Sequence, residues 1–226
     1  MKKSTYESDK RKEELFAEWL DKYFYARIQN YYENIYRITN KNTQKRGIDV
    51  VIKSFDGSEL KVDEKATLDY INKNIPTFAF EVKNRTSGRE GWLYNKSLET
   101  DYYLLAWPNS ECDYINEADD FSSASIMTIR RERVKELLNK RNLDENEMMR
   151  RVKAYQDRLN EGNKFSVCDG INIYFNETKY EKPINIVIHN KILKQYMNAL
   201  YYVDKKEIKE IKEIEKEINL NEKNSL

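Results

Sequence analysis

Between Gln44 and Lys83 the chain reads QKRGIDVVIKSFDGSELKVDEKATLDYINKNIPTFAFEVK. Asp49 lies in an apolar run, Gly47-Ile48-Asp49-Val50-Val51-Ile52. Asp63-Glu64-Lys65 closes a second run, and Glu81 follows Phe78-Ala79-Phe80 in a third. A carboxylate lodged among β-branched and aromatic residues needs a compensating charge, because burying it alone is costly. Several carboxylates meeting at one point repel each other unless a hard cation such as Mg2+ or Mn2+ neutralises them. A lysine beside them can orient or help deprotonate an attacking water and balance the charge of a phosphate. These residue types in this pattern point to a divalent-metal site.

Short strands have to position them. Residues 47–53 are β-branched and apolar on both faces, as in a central strand. Asp56-Gly57 predicts a hairpin to a partner strand, 59–66, and Pro76 opens a third, 77–83. Side chains alternate along a strand, so Asp63 and Lys65 share a face and Glu64 points away. In the third strand Thr77, Ala79, Glu81 and Lys83 share a face. If the three strands are neighbours, Asp49, Asp63, Lys65 and Glu81 converge on one sheet surface. A second register is also written here, with Asp63 as the first acid and Glu81-Val82-Lys83 as the second element. The first is preferred, because the Asp56-Gly57 hairpin brings Asp49 and Asp63 together.

Before the strands, residues 8–27 form a helix whose apolar stripe is Leu15, Phe16, Trp19, Leu20, Tyr23 and Phe24. Glu14 and Glu18 face water; Glu13, at the stripe's edge, is the acid that can reach inward. Residues 28–46 read as one strand plus a loop ending in a basic cluster, Lys41, Lys45 and Arg46. An irregular loop, 84–100, carries Arg85, Arg89 and Gly91-Trp92, and the strand 101–107 stops at Pro108. The expected order continues with a strand at 124–129, helices at 130–140 and 144–160, a β region at 164–188 and a helix at 190–203, started near His189. The tail, 204–226, repeats Lys-Glu-Ile units and reads as a charged helix with an isoleucine seam, suited to a protein partner or a homodimer. The chain thus divides into a core with a helical extension, 1–160, and a β/α appendage packed on it, 161–226.

The 226 residues suffice for one substantial core, and 12% aromatic content offsets a hydrophobic fraction of 39%. A net charge of +1 gives no global support for nucleic-acid binding, so local clusters must supply it. With two cysteines, Cys112 and Cys168, and one histidine, His189, there is no zinc-type cluster. The N-terminus lacks an apolar leader-like stretch and no window approaches a membrane span, so a cytoplasmic protein without a membrane partner is expected. The Lys/Asn/Ile/Tyr bias is that of AT-rich bacterial or phage coding.

Asp49, a turn, then Asp63-Glu64-Lys65 resembles the signature of the PD-(D/E)XK nuclease superfamily. The resemblance implies a mixed α/β restriction-endonuclease-like core of order α-β-β-β-α-β, with the C-terminal helices and small β region as additions. It implies an Mg2+- or Mn2+-dependent nuclease acting on DNA. Asp49 and Asp63 would bind the metal with the main-chain carbonyl of Glu64, and Lys65 would position the nucleophile. Glu13 would be the acid that some members place on the first helix, Glu81 a further acid near the site, and Gln44 the glutamine common before the glycine. Ile48 stands where the family pattern has proline. Lys41, Lys45, Arg46, Arg85 and Arg89 would steer the phosphate backbone. The rival reading is a non-catalytic inhibitor or accessory protein, of phage or bacterial origin, on the same scaffold.

Overall fold

The computed structural model describes residues 3–211. Helix α1 (Lys3–Leu20) runs through a π-type turn at Asp21–Tyr25 into a last turn, α2 (Ala26–Ile28). Leu15, Phe16, Trp19, Leu20 and Phe24 are buried along it, as their spacing predicts, and Glu14 and Glu18 are exposed. Strand β1 (Asn34–Arg37), a one-turn helix α3 (Lys41–Gln44), β2 (Val50–Lys53) and β3 (Glu59–Ala66) follow. The three strands form an antiparallel meander. Between β2 and β3 the chain turns at Asp56-Gly57: Gly57 has φ 84°, and the Asp56 carboxylate accepts from the Ser58 N–H at 2.9 Å. The resulting register pairs Val50 with Val62, which brings Asp49 level with Asp63.

The expected third strand does not extend this meander. Its residues form β4 (Thr77–Asn84), which belongs to a second sheet, and the other neighbour of β3 is β5 (Tyr102–Ser110), running parallel to it. A parallel pair needs a crossover; residues 67–101 provide it and carry β4 away. The alternation in β4 suits any half-buried antiparallel strand, so periodicity alone could not name its partner. Nor does Pro108 end β5. The last pair with β3 is Ala66–Ala106, so at Pro108 the missing N–H faces an edge where no ladder bond is needed.

β5 pairs antiparallel with β6 (Phe121–Arg130), which leads into α4 (Arg131–Asn139) and α5 (Glu145–Gln156). Val134, Leu137 and Leu138 of α4 are buried, as expected. Next come β7 (Lys164–Cys168), β8 (Ile171–Phe175) and β9 (Pro183–His189), giving a four-stranded sheet in the order β4-β9-β8-β7. His189 caps the following helix, α6 (Asn190–Leu193), its Nδ1 accepting the Lys191 N–H at 3.1 Å. The helix expected over 190–203 ends there. Residues 199–204 form β10 (Ala199–Asp204) on the open edge of β6, and β11 (Ile208–Glu210) adds to β10. Leu200-Tyr201-Tyr202-Val203 favour a strand, and an unpaired edge offers a template. The helix expected over 204–226 is corrected accordingly as far as Ile211; the rest of that segment lies outside the described residues.

The larger sheet has the order β1-β2-β3-β5-β6-β10-β11. One core packs the α1 stripe against Val50, Ile52, Val62, Leu104 and Ile126. The other packs the smaller sheet, α4 and α5 against Tyr103, Leu105, Met127 and Ile129. The fold is therefore mixed α/β: a large mixed sheet with a helix on one face and a second sheet with helices on the other. Residues 161–211 are woven into both sheets. Among the described residues no helix is long and apolar enough to cross a membrane.

Candidate active site

Gly47 sets up the entry to the site. At φ 73° it turns the chain tightly, and its carbonyl accepts the Thr100 hydroxyl at 2.7 Å; an added Cβ would lie 2.5 Å from that hydroxyl oxygen. Two residues on, the Asp49 Oδ2 accepts the Glu64 N–H at 2.8 Å, which pins the carboxylate across the hairpin register. Asp63 is only 3% exposed. The Lys65 Nζ donates to Asp63 Oδ1 and to the Glu64 carbonyl oxygen, the latter at 3.3 Å. Burial pushes the Asp63 carboxyl up to about 7; Lys65 pulls against this and Asp49 adds to it. Burial alone would lower the Lys65 ammonium, but Asp63, Asp49 and Glu13 outweigh it and hold the charge.

Glu64 turns to the other face, as alternation predicts. Arg37 grips its carboxylate with Nη1 at 2.7 Å and Nη2 at 3.1 Å, and binds Asp21 through Nε at 2.7 Å. Only the Glu64 carbonyl oxygen is offered to the Lys65 side. Glu13 is solvent-exposed on α1, yet protein crowds its carboxyl and raises it, with Lys65 and Lys179 pulling it down and Asp9 and Asp49 pushing it up. Glu81 approaches from the smaller sheet; burial and Glu181 raise its carboxyl, and Lys65 lowers it. Glu81 therefore stands on the smaller sheet, not on the sheet that carries Asp63, and feels the charge of Lys65 from there. The residues of the two registers fall differently in the fold. Asp49, Asp63 and Lys65 are joined by hydrogen bonds and charge within one meander, whereas Glu81 and the exposed Lys83 stand on the second sheet with a bulge between them.

Four further residues lie around this group. The Lys65 Nζ lies 5.5 Å from the Trp92 ring, which packs on Phe80 at 5.2 Å and Tyr103 at 4.8 Å. Gly91 permits this: an added Cβ would sit 2.3 Å from the Glu81 carbonyl oxygen. The buried Arg131 guanidinium holds the same loop, donating to the carbonyls of Leu93 at 3.2 Å, Asn95 at 2.5 Å and Leu98 at 3.1 Å. Lys179, on the β8–β9 loop, bridges to Asp69 at 3.0 Å. Gly91-Trp92 is visible in the sequence as a turn with an aromatic plug. Nothing local marks Arg131 or Lys179, because their partners lie far away in the chain.

The residues expected to meet nucleic acid are scattered in their circumstances. Lys41 and Lys45 are exposed. Gln44 Nε2 donates to the Ile38 carbonyl at 2.9 Å and so fastens its own turn. Arg46 is paired with Glu99 and Arg85 with Glu177. Arg89 is exposed in an open groove of about 320 Å³ shared with Glu81, Tyr180 and Glu181.

Among the described residues no three His, Cys, Asp or Glu side chains gather as a metal-binding group. The cleft instead offers two carboxylates, Asp49 and Asp63, and the Glu64 carbonyl oxygen. These are hard oxygen donors of the kind Mg2+ and Mn2+ take. Two of them already converge on a positive charge, the Lys65 ammonium. The donor chemistry fits such an ion. No family model matches the chain, and no curated protein or solved structure matches it.

Proposed function

We propose that the chain is a metal-dependent nuclease of the PD-(D/E)XK kind, hydrolysing phosphodiester bonds in DNA. The observation that carries this reading is the pairing of Asp49 with Asp63 across a hairpin, with Lys65 bonded to Asp63 and to the Glu64 carbonyl. The order of elements supports it: a helix, an antiparallel meander, then a crossover to a strand parallel to the third. That crossover carries a strand of another sheet where the family pattern has a helix.

Asp49, Asp63 and the Glu64 carbonyl would hold Mg2+ or Mn2+, which supplies charge for the phosphate and lowers the pKa of a nearby water. Lys65 holds the attacking water at its Nζ and balances phosphate charge. The Glu64 N–H keeps Asp49 aimed into the cleft. Trp92 shields one side of the lysine from solvent. Glu13, exposed on α1, adds negative charge at the margin of the site, where Lys65 and Lys179 act on it.

The test is incubation of plasmid and single-stranded DNA with Mg2+ or Mn2+, with and without chelator. Chelator-sensitive cleavage should fall by roughly a hundredfold or more in Asp63→Asn and in Lys65→Met. Cleavage that survives both substitutions removes this site from the chemistry. A second reading, a non-catalytic binding protein on the same scaffold, is favoured by one observation: Arg46 and Arg85 are already neutralised by acids. It predicts no turnover with any divalent ion.

A further inference from the structure

One flank of the cleft combines aromatic and basic residues in a way the hydrolytic machinery does not use. After β3, residues 68–73 present Tyr70, 47% exposed, with the Lys73 Nζ over its ring at 5.5 Å. Across from them, the β8–β9 loop presents Lys179 and Tyr180, the latter 74% exposed. The Lys179–Asp69 bridge, 3.0 Å, ties the two segments together between residues that directly adjoin Tyr180 and Tyr70. The Tyr180 carbonyl is held by the Thr86 hydroxyl at 2.8 Å, so the loop is anchored to the smaller sheet. Tyr180 also lines the groove that contains Glu81 and Arg89, and the charge of Lys65 acts on Glu81.

We infer that this flank binds single-stranded nucleic acid, its bases stacking on Tyr70 and Tyr180 and its phosphates meeting Lys73 and Lys179. The inference rests on the proposed nuclease reading and names the form of its substrate. A duplex presents phosphates at high density and is held chiefly by uncommitted cations. Here Arg46 and Arg85 are occupied by Glu99 and Glu177, and Lys179 and Lys182 are bridged to Asp69 and Glu177. Such a surface attracts a duplex weakly. Stacking needs no net charge, and every unpaired base has a face to offer. The exposed rings are therefore the stronger binding element, and they are accessible only to bases out of a duplex.

The test uses the full chain carrying Asp63→Asn, so that substrate is not consumed. Fluorescence anisotropy is read with a labelled DNA strand of about twelve nucleotides, its RNA counterpart and the matching duplex. The single strand should bind roughly tenfold or more tighter than the duplex, and Tyr180→Ala or Tyr70→Ala should each weaken it by about fivefold or more. Tyr31→Ala, at an exposed tyrosine beside the end of the meander where Asn34 pairs with Lys53, should change nothing. Equal or tighter duplex binding, or indifference to both cleft tyrosines, overturns the inference. The comparison of DNA with RNA identifies which strand is preferred. Binding is read without cleavage, so the two proposals fail separately. A chain that binds single strands through Tyr180 and never cleaves overturns the enzyme and spares the inference; one that cleaves duplexes through Asp63 regardless of Tyr180 does the reverse.

Discussion

On β3, Glu64 turns to one face of the sheet and Asp63 to the other, and the two acids meet different company. Glu64 has a guanidinium that grips both its oxygens and is itself braced by Asp21. Burial lowers Arg37, but Asp21 and Glu64 outweigh it and the guanidinium stays charged. Asp63 has one ammonium, shared with a backbone carbonyl, and a second carboxylate, Asp49, pressing on it. A bidentate arginine saturates a carboxylate; a lysine leaves lone pairs over. The saturated acid holds the fold, and the unsaturated one has capacity left for a ligand.

This contrast can be broken by experiment. Arg37→Met should cost the most stability, about 3 kcal/mol in urea unfolding, because it leaves Glu64 charged and unpaired; a loss below about 1 kcal/mol would show that Glu64 is not structural. At Asp63 the sign reverses. Its ordinary value of 3.8 rises to about 7 on folding, so the folded chain takes up a proton between those limits. The stabilising contribution is complete below the unfolded value and is lost as pH rises through about 7. Metal-free Asp63→Asn should therefore be more stable than the parent at pH 8, by roughly 1–3 kcal/mol, and equal to it in acid; a less stable variant at pH 8 would place Asp63 with the saturated acids. Divalent-ion affinity, read by calorimetry, should climb as pH approaches 7, since binding must displace that proton, by up to about tenfold per unit. Glu13→Gln, at the exposed margin of the cleft, should have the smallest effect, lowering turnover by less than about tenfold. A complete loss would move Glu13 into the core of the site.

Residues whose partners are close in sequence were readable in advance. Asp49 and Asp63 meet because a short Asp-Gly hairpin joins their strands, and Asp63 and Lys65 share a face because strands alternate. The α1 stripe and His189 at a helix start are local patterns of the same kind. What escaped depended on distant pairing. Glu81 stands on a sheet completed by β9, and residues 199–204 became a strand because β6 had an open edge. In the segment expected as a helix over 190–203, Ile192, Leu193, Tyr196, Met197 and Leu200 all pack on a core, yet their helical spacing could not report that edge. Arg131 satisfies itself on carbonyl oxygens, so no acidic counterpart betrays it.

The crossover between β3 and β5 has a consequence for how the protein comes into being. A ribosome that has released the first hundred residues has already made Asp49, Asp63 and Lys65. Yet β4 receives its partner β9 only when residues 183–189 emerge, and β6 receives β10 later still. The smaller sheet, with Glu81, is therefore completed after the meander that carries Asp49, Asp63 and Lys65. A chain cut short before residue 183 would carry Asp49, Asp63 and Lys65 on their hairpin while β4 lacked its partner strand.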